Sequence, residues 1–456
     1  MAVTLHQSAT SPNMTNNTLV YNVLSNKITQ PQFQYVCDVK TSGGALIQRL
    51  KQQPNPSGYG VFDVGMILNY QLGPIDKVWK QAGNEPVGNT NGGADFDIFF
   101  GEEYGANVSS SVTLYSGIGN DVGNPAVSGS EYLFGIDGLV DPNDKQNWNW
   151  PSQSKYDEEL TDDITFTHQN ALTNFNTGSV RLGDYATLSF IQGNADGGFP
   201  KTGSAQDVYA MHVEQYDANN TKVSESYSWN FDYPARTVFS PDGSSSTWST
   251  VYTSQSAATR LIHWGVGPEN LSDGSIPLTS SCAYYTVTFM AQATDSYENV
   301  DGIWGVYRYD VVDKNCGYDG VRFAWKNEYG VWDYFNFGLA ESTTSEITRH
   351  EYTQTFLPFS NNGTTVPYDT ERRGRTNYIN LVNRRRTAES DYLTQSEADN
   401  LNEMFYSADV YVQDGSDFYP IKITNASVTE KVNPRSQKLF TLRVEYQYAN
   451  DMRNRL

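Results

Sequence analysis

The sequence predicts a mainly β protein, with tandem β-sandwich-like domains followed by a small α+β module at the C-terminus. Two observations carry this prediction. The chain is rich in Ser, Thr, Asn, Tyr and Gly, with 31 tyrosines and 37 glycines in 456 residues, and this composition favours strands joined by polar turns. Short runs of alternating apolar and polar residues recur along the chain, whereas only one segment has the periodicity of an amphipathic helix.

The first domain is expected at residues 19–170, after a polar arm at residues 1–18 that lacks hydrophobic periodicity. Residues 34–39 and 45–50 predict two strands, and the Ser-Gly-Gly sequence between them predicts a tight turn. A long stretch rich in Gly, Asn and Asp follows. We therefore expect a β-sandwich with a loop-rich insertion.

The second β-domain is expected at residues 171–345. Its clearest element is a pair of alternating aromatic segments, residues 321–325 and 332–337, separated by a turn sequence at residues 326–330. This pattern predicts a hairpin. Its aromatic side chains could line a ligand surface, but such ladders more often form the core of a sheet, and we favour core.

The C-terminal module, residues 346–456, predicts the order strand, helix, strand, strand, strand. The predicted helix covers residues 396–405. Thr394 or Ser396 can cap it, and Glu397 suits its positively polarised N-terminus. One helix face is apolar, which predicts packing against the adjoining sheet.

The net charge of −21 is unevenly distributed. Residues 91–164 contain 14 acidic residues and two lysines, whereas residues 349–386 contain seven arginines. The acidic balance argues against duplex nucleic acid as a general partner, because phosphate binding needs a basic surface. The acidic and basic regions could instead bind each other in neighbouring subunits. Alternatively, the negative charge only keeps a large β protein soluble.

Motifs for catalysis or cofactor binding are not visible. The five histidines are scattered, and no phosphate-binding loop or dinucleotide fingerprint is present. We therefore predict no enzyme activity, no catalytic residues, no cofactor and no metal ligands. The three cysteines lack metal or redox spacing and are expected to be small core residues or free thiols. The chain shows no signal peptide and no membrane span, which predicts synthesis in a cytoplasm.

Paired carboxylates are the best candidate for an enzyme site. Asp95 and Asp97 are expected on one face of a strand, roughly 7 Å apart. Such a pair could cleave a glycosidic bond, and the acidic region at residues 91–165 could bind Ca²⁺ through oxygen ligands. With 52 acidic residues, however, close pairs also arise by chance.

Two arginine clusters form the other candidate site. Arg372 and Arg373 lie in a loop-like sequence, and Arg384, Arg385 and Arg386 end a predicted strand. Arg384 and Arg386 would share one strand face. They could line a channel that passes nucleic acid, bridge to acidic neighbours or simply form a solvated face. Among the functional interpretations we favour a subunit contact, because no stacking aromatics are interleaved with them.

Six segments of the sequence together resemble a known protein family. They are residues 28–39, 49–51, 55–63, 323–335, 383–387 and 444–450. The family they resemble consists of virion structural proteins from tailed phages of Bacteroidetes and marine bacteria. The hairpin is similar to an aromatic motif of that family, and the C-terminal module is similar to the tube-type domain of phage tails, a sheet with one flanking helix that closes into rings.

This resemblance implies a homo-oligomeric ring or hub in the tail or tail tip, near the baseplate. It implies other tail proteins as partners, and a lumen whose acidic wall lets DNA slide through without specific binding. The protein would then be made in the host cytoplasm and reside in the virion tail.

Two alternatives stay open. In the first, a receptor- or carbohydrate-binding tail module would expose Trp148, Trp150 and Trp264 to a host glycan. In the second, a polysaccharide-cleaving tail enzyme would use Asp95 and Asp97.

Overall fold

Strands dominate the structure, as the sequence predicts. The chain divides into two units, Met1–Asp313 with Trp325–Tyr334, and Lys314–Ala324 with Phe335–Leu456. The predicted boundaries after residues 18, 170 and 345 stay predictions. The computed structural model describes residues 3–7, 13–72, 86–88, 91–104, 130–139, 171–175, 177–191, 206–229, 237–239, 245–247, 261–274, 276–293, 302–312, 320–353, 374–425 and 441–449.

The first unit contains eighteen of the described strands and two short helices. In chain order these are β1 (Val3–Gln7), β2 (Asn13–Met14), β3 (Val20–Ser25), β4 (Gln34–Thr41), β5 (Leu46–Gln52), β6 (Tyr59–Asp63), α1 (Gly65–Gln71), β7 (Pro86–Gly88), β8 (Gly93–Glu103), β9 (Ser130–Ile136), β10 (Thr177–Val180), β11 (Thr187–Ile191), β12 (Gln206–Tyr216), β13 (Lys222–Trp229), β14 (Thr237–Phe239), β15 (Ser245–Thr247), β16 (Leu261–Gly265), α2 (Pro268–Asp273), β17 (Tyr284–Ala293) and β18 (Gly302–Val311).

The next two strands, β19 (Val321–Lys326) and β20 (Trp332–Phe337), each contribute residues to both units. The described elements that follow lie in the second unit. They are β21 (Ala340–Thr353), β22 (Arg375–Glu389), α3 (Gln395–Tyr406), β23 (Val410–Asp414), β24 (Asp417–Ile423) and β25 (Arg443–Tyr448).

The N-terminal strands form two sheets around one apolar core. One sheet has the order β1-β3-β6, and the other has the order β2-β9-β8-β4-β5. Tyr21 and Val23 of β3 are buried in the same cluster as Tyr35 and Cys37 of β4 and Phe100 of β8. This is the arrangement of a β-sandwich, because each sheet turns one set of alternating side chains toward the other sheet. The predicted hairpin of β4 and β5 is confirmed.

A second pair of sheets follows the same principle. A five-stranded sheet, β10-β18-β17-β12-β13, and a three-stranded sheet, β11-β16-β7, share one core cluster. Phe289 of β17 lies with its ring centroid 4.5 Å from that of Phe190 of β11 and 5.5 Å from that of Trp264 of β16. Large aromatic side chains therefore fill this core from both sheets.

The C-terminal strands belong to a seven-stranded sheet with the order β20-β19-β23-β24-β25-β22-β21. Its helix, α3, begins with a capping box in which Thr394 and Glu397 each accept the other's backbone N–H. Leu401 and Met404 on this helix are buried. The predicted order of strand, helix and three strands is confirmed. The helix could be predicted because both its cap and its apolar face are local sequence signals.

The predicted aromatic hairpin is also confirmed as β19 and β20. Phe323, Trp325, Trp332 and Phe337 are buried, so its aromatic ladder belongs to the core, as we favoured. The turn between the strands contains Gly330, whose φ of +78° is in the left-handed region that favours glycine.

The side chain of Asn327 organises this turn. Its amide nitrogen donates to the carbonyl oxygen of Leu172 at 2.8 Å and to the carboxylate of Asp333 at 2.9 Å. Its amide oxygen accepts the backbone N–H groups of Tyr329 and Val331, both at 3.1 Å. Both donor hydrogens and both acceptor lone pairs of this buried amide are thus used.

We expect Asn327→Asp to lower the free energy of unfolding by about 2–4 kcal/mol, because a buried carboxylate would face the Leu172 carbonyl and the Asp333 carboxylate with no hydrogen to donate. Urea denaturation followed by tryptophan fluorescence measures the change. The matched control is Asn220→Asp in an exposed turn, which should change the unfolding free energy by no more than about 0.5 kcal/mol. Equal effects of the two variants would contradict the role of Asn327.

Candidate assembly surface

The most distinctive surface of the second unit is a long two-stranded ribbon. Strands β21 and β22 have 14 and 15 residues and pair along almost their whole length. Only residues 386–389 of β22 also pair with β25. In the described part of the chain, residues 344–353 and 375–385 therefore pair only with each other, and we call these two segments the ribbon.

The ribbon exposes apolar side chains on both faces. Ile347 and Leu381 are 46% and 43% exposed, and Tyr378 is 57% exposed. Ile347 pairs with Val382, whereas Leu381 pairs with Thr348, so Ile347 and Leu381 point to opposite faces. Because a two-stranded hairpin is marginally stable in water by itself, exposed apolar side chains on both of its faces are typical of a surface that binds a partner.

Arg386 lies at the base of the ribbon and makes contacts inside the sheet. Its guanidinium carbon lies 4.8 Å from the ring centroid of Tyr448, which is a cation–π contact. Its Nη1 donates to Glu341 at 3.3 Å, and the hydroxyl of Tyr446 is 3.5 Å from the same carboxylate oxygen. These contacts make Arg386 a structural residue of the sheet, and burial raises the pKa of Tyr446.

Arg384 and Arg385 are exposed, and their side chains point to opposite faces of the ribbon. Arg384 pairs with Ser345 and shares a strand face with Arg386, as predicted. Arg385 points to the opposite face, where its Nη2 lies 3.8 Å from the exposed carboxylate of Glu346. Both arginines therefore remain candidates for a subunit contact. Arg372 and Arg373 lie outside the described residues.

The prediction that Trp264 is an exposed glycan-binding residue is wrong. Trp264 is fully buried in the core between the five-stranded and three-stranded sheets. Its strand, β16, is the middle strand of its sheet, and all five of its residues are buried. Trp148 and Trp150 lie outside the described residues, so the glycan-binding alternative now depends on them.

Asp95 and Asp97 lie on β8, on the face opposite to the buried residues Phe96 and Ile98. The predicted placement on one strand face is therefore found. Residues 140–165 of the acidic region lie outside the described part of the chain. Among the described residues, one group of three potential metal ligands was found, and it contains His212, Glu214 and Glu225 rather than these two aspartates.

A serine–histidine pair lies in the second core but is inaccessible to substrate. Ser189 Oγ is 2.6 Å from His263 Nδ1, and both residues are buried. Burial lowers the pKa of His263 to about 3. The imidazole is therefore neutral at pH 7. We interpret the pair as a hydrogen bond that satisfies two buried polar groups, not as a histidine that activates a serine nucleophile.

The sequence did not predict two features of these sites. Strand β21 was missed because its Ser, Thr, Glu and Arg residues give no apolar face, and its two large apolar residues, Ile347 and Tyr352, are five positions apart and do not alternate. The cluster of His212, Glu214 and Glu225 was missed because its members lie on two strands, and the pairing of β12 with β13 brings them together.

Comparison with protein-family models and with curated proteins gives no match for this sequence. Each helix in the described part of the chain is also too short or too polar to span a bilayer.

We expect Arg386→Met to lower the free energy of unfolding by about 1–2 kcal/mol, because it removes the cation–π contact and the bond to Glu341. The matched variant Arg384→Met, two residues away on the same face, should change it by no more than about 0.5 kcal/mol. Guanidinium denaturation followed by circular dichroism separates the two. If both variants behave alike, the structural assignment of Arg386 is wrong.

We also expect His263 to make the first unit labile to acid. Its pKa is about 3 in the folded protein and about 6.5 when unfolded, so the unfolded chain takes up the proton first. The contribution of the neutral His263 to the free energy of unfolding is therefore complete above about pH 6.5. It is lost as the pH falls toward 3, by up to about 1.4 kcal/mol per pH unit.

The measurement is the unfolding free energy between pH 7 and 4. His263→Asn should flatten this pH dependence, whereas Ser189→Ala, which keeps the buried imidazole, should not. If the unfolding free energy of His263→Asn depends on pH as steeply as that of the wild type, His263 is not the cause of the acid lability.

Proposed function

We propose that the protein is a structural component of a tailed-phage virion and forms a homo-oligomeric ring or hub in the tail or tail tip. The observation that supports this proposal best is the ribbon. Strand β21 is an outer strand of the seven-stranded sheet, and residues 342–353 of this strand are all exposed, although they pair with β22 along one edge.

The physical argument begins with the outer edge of β21. An outer strand presents backbone N–H and C=O groups that can pair with a strand of another chain. When such an edge binds a different surface on the next copy, the contact is heterologous. Repeating this contact produces a closed ring if the rotation from one copy to the next divides evenly into a full turn. The exposed side chains of Ile347, Tyr378 and Leu381 would be buried in such a contact.

Charge supports self-association through the same region. Arg384 and Arg385 are exposed on the ribbon, while the chain as a whole carries a net charge of −21. A basic ribbon can therefore attract an acidic surface of the next copy or of another tail protein. An acidic lumen would repel DNA phosphates and let DNA pass without specific binding.

The test is the solution mass of the full-length protein by mass photometry, with negative-stain images of the same sample. We expect a discrete oligomer with a central opening. The double variant Ile347→Lys/Leu381→Lys places charge on both faces of the ribbon and should shift the mass to the monomer, because the new charges would be desolvated in the contact.

The control for this experiment is Leu46→Lys. Leu46 is an aliphatic residue of similar exposure on β5, the outer strand of another sheet, and its replacement should leave the oligomer intact. A wild-type protein that stays monomeric at high concentration contradicts the ring. An oligomer that survives the double variant contradicts the role of the ribbon.

A further inference from the structure

A cluster of potential metal ligands lies on the outer face of the five-stranded sheet, in the first unit. His212 and Glu214 are alternate residues of β12, and Glu225 lies opposite Glu214 on β13. One ligand atom from each of the three residues lies within 4.8 Å of the others. The intervening residue, Val213, points to the core, so the three ligands share the opposite face.

Two carboxylates that face each other across a strand pair destabilise it unless a cation lies between them. Here Lys222 supplies the cation. Its Nζ lies 2.6 Å from Glu225 Oε2 and 3.3 Å from Glu214 Oε1. The ammonium group is solvent-exposed and sits on a flexible side chain at the start of β13, so it can move away from the carboxylates at little cost.

The burial of His212 distinguishes this cluster from an ordinary surface ion-pair network. The residue is 8% exposed, and its Nε2 is buried with no hydrogen-bond partner. This Nε2 lies 3.6 Å from Glu225 Oε2, which is too far for a hydrogen bond. Two ligands at about 2.0–2.2 Å from a tetrahedral zinc ion lie roughly 3.4 Å apart. The 3.6 Å between His212 Nε2 and Glu225 Oε2 is close to this spacing of metal ligands.

The surroundings hold the ligands in place. The imidazole of His212 stacks on the ring of Tyr227, with centroids 4.2 Å apart and an interplanar angle of 6°. The hydroxyl of Tyr216 donates to Glu214 Oε2 at 3.1 Å, as groups behind a metal ligand commonly do.

We propose that His212, Glu214 and Glu225 form a binding site for a divalent transition-metal ion of the zinc class, from which the ion displaces the Lys222 ammonium. One imidazole and two carboxylates suit zinc, and water completes the coordination. Because β13 is an outer strand of its sheet, the ion would fasten this edge strand to β12. The role is structural and does not depend on the proposed ring.

The test uses the full-length protein after chelator treatment and dialysis. Co²⁺ is added as a spectroscopic probe and followed by visible absorption, and Zn²⁺ binding is measured by titration calorimetry. We expect one ion per chain. Glu225→Gln, at an exposed position, should weaken binding at least tenfold, and Zn²⁺ should raise the melting temperature of the wild type but not of this variant.

Lys222→Met is the decisive variant. If the cluster is a metal site, removing the competing ammonium should tighten Zn²⁺ binding about tenfold or more. The matched control is Asp310→Asn. Asp310 lies on the same sheet face and bonds to Arg308, and its replacement should leave Zn²⁺ binding unchanged.

Three results would overturn the proposal. The first is absence of stoichiometric binding in both the wild type and Lys222→Met. The second is binding in Glu225→Gln that equals that of the wild type. The third is an equal loss of binding in Asp310→Asn, which would indicate a nonspecific acidic surface.

Discussion

The hydrogen bonds of one buried amide, that of Asn327, hold together segments of the first unit that are far apart in sequence. The turn that this amide closes also places the carbonyl oxygen of Glu328 2.9 Å from the backbone nitrogen of Leu139, and the side chain of Asn174 2.8 Å from the Glu328 carboxylate. Three chain segments far apart in sequence therefore meet at one turn. Each polar group buried there needs a partner, so displacing one segment would leave polar groups of the other two unsatisfied. The close approach extends to Gly330, where a Cβ atom would lie 2.1 Å from the Asp137 carbonyl oxygen.

Local signals explain why much of the fold was predictable. The hairpin of β19 and β20 has strict alternation and a turn that needs glycine, and α3 has a capping box, so neighbouring residues alone specify these elements. Trp264 shows where such reasoning ends. A tryptophan in a short apolar segment is equally suited to a binding surface or a core, and only the strands on either side of β16 decide which. Those strands, β7 and β11, are distant in sequence, so their pairing could not be read from the residues around Trp264.

The arginine run illustrates the same limit at the candidate site. Its position on a strand predicted that Arg384 and Arg386 share a face, and they do. The sequence could not show that β25 pairs with β22 only from Arg386 onward. This end of the pairing divides the run: Arg386 contacts Tyr448 and Glu341 within the sheet, while Arg384 and Arg385 lie on the exposed ribbon. A charge run in sequence thus becomes one structural residue and two surface residues.

The outer strands of the sheets differ in a way that bears on assembly. Strands β5 and β13 have seven and eight residues, and each carries a lysine or arginine that binds a carboxylate of its own sheet, as Arg49 binds Asp38. Short, charged outer strands resist pairing with other chains. Strand β21 has 14 residues, and most of it has β22 as its sole described neighbour. Its cross-strand contacts, such as His350 and Tyr352 beside Tyr378, are modest in energy. An isolated ribbon of this length gains little from such contacts, and the subunit contact proposed above would supply the burial that the ribbon lacks.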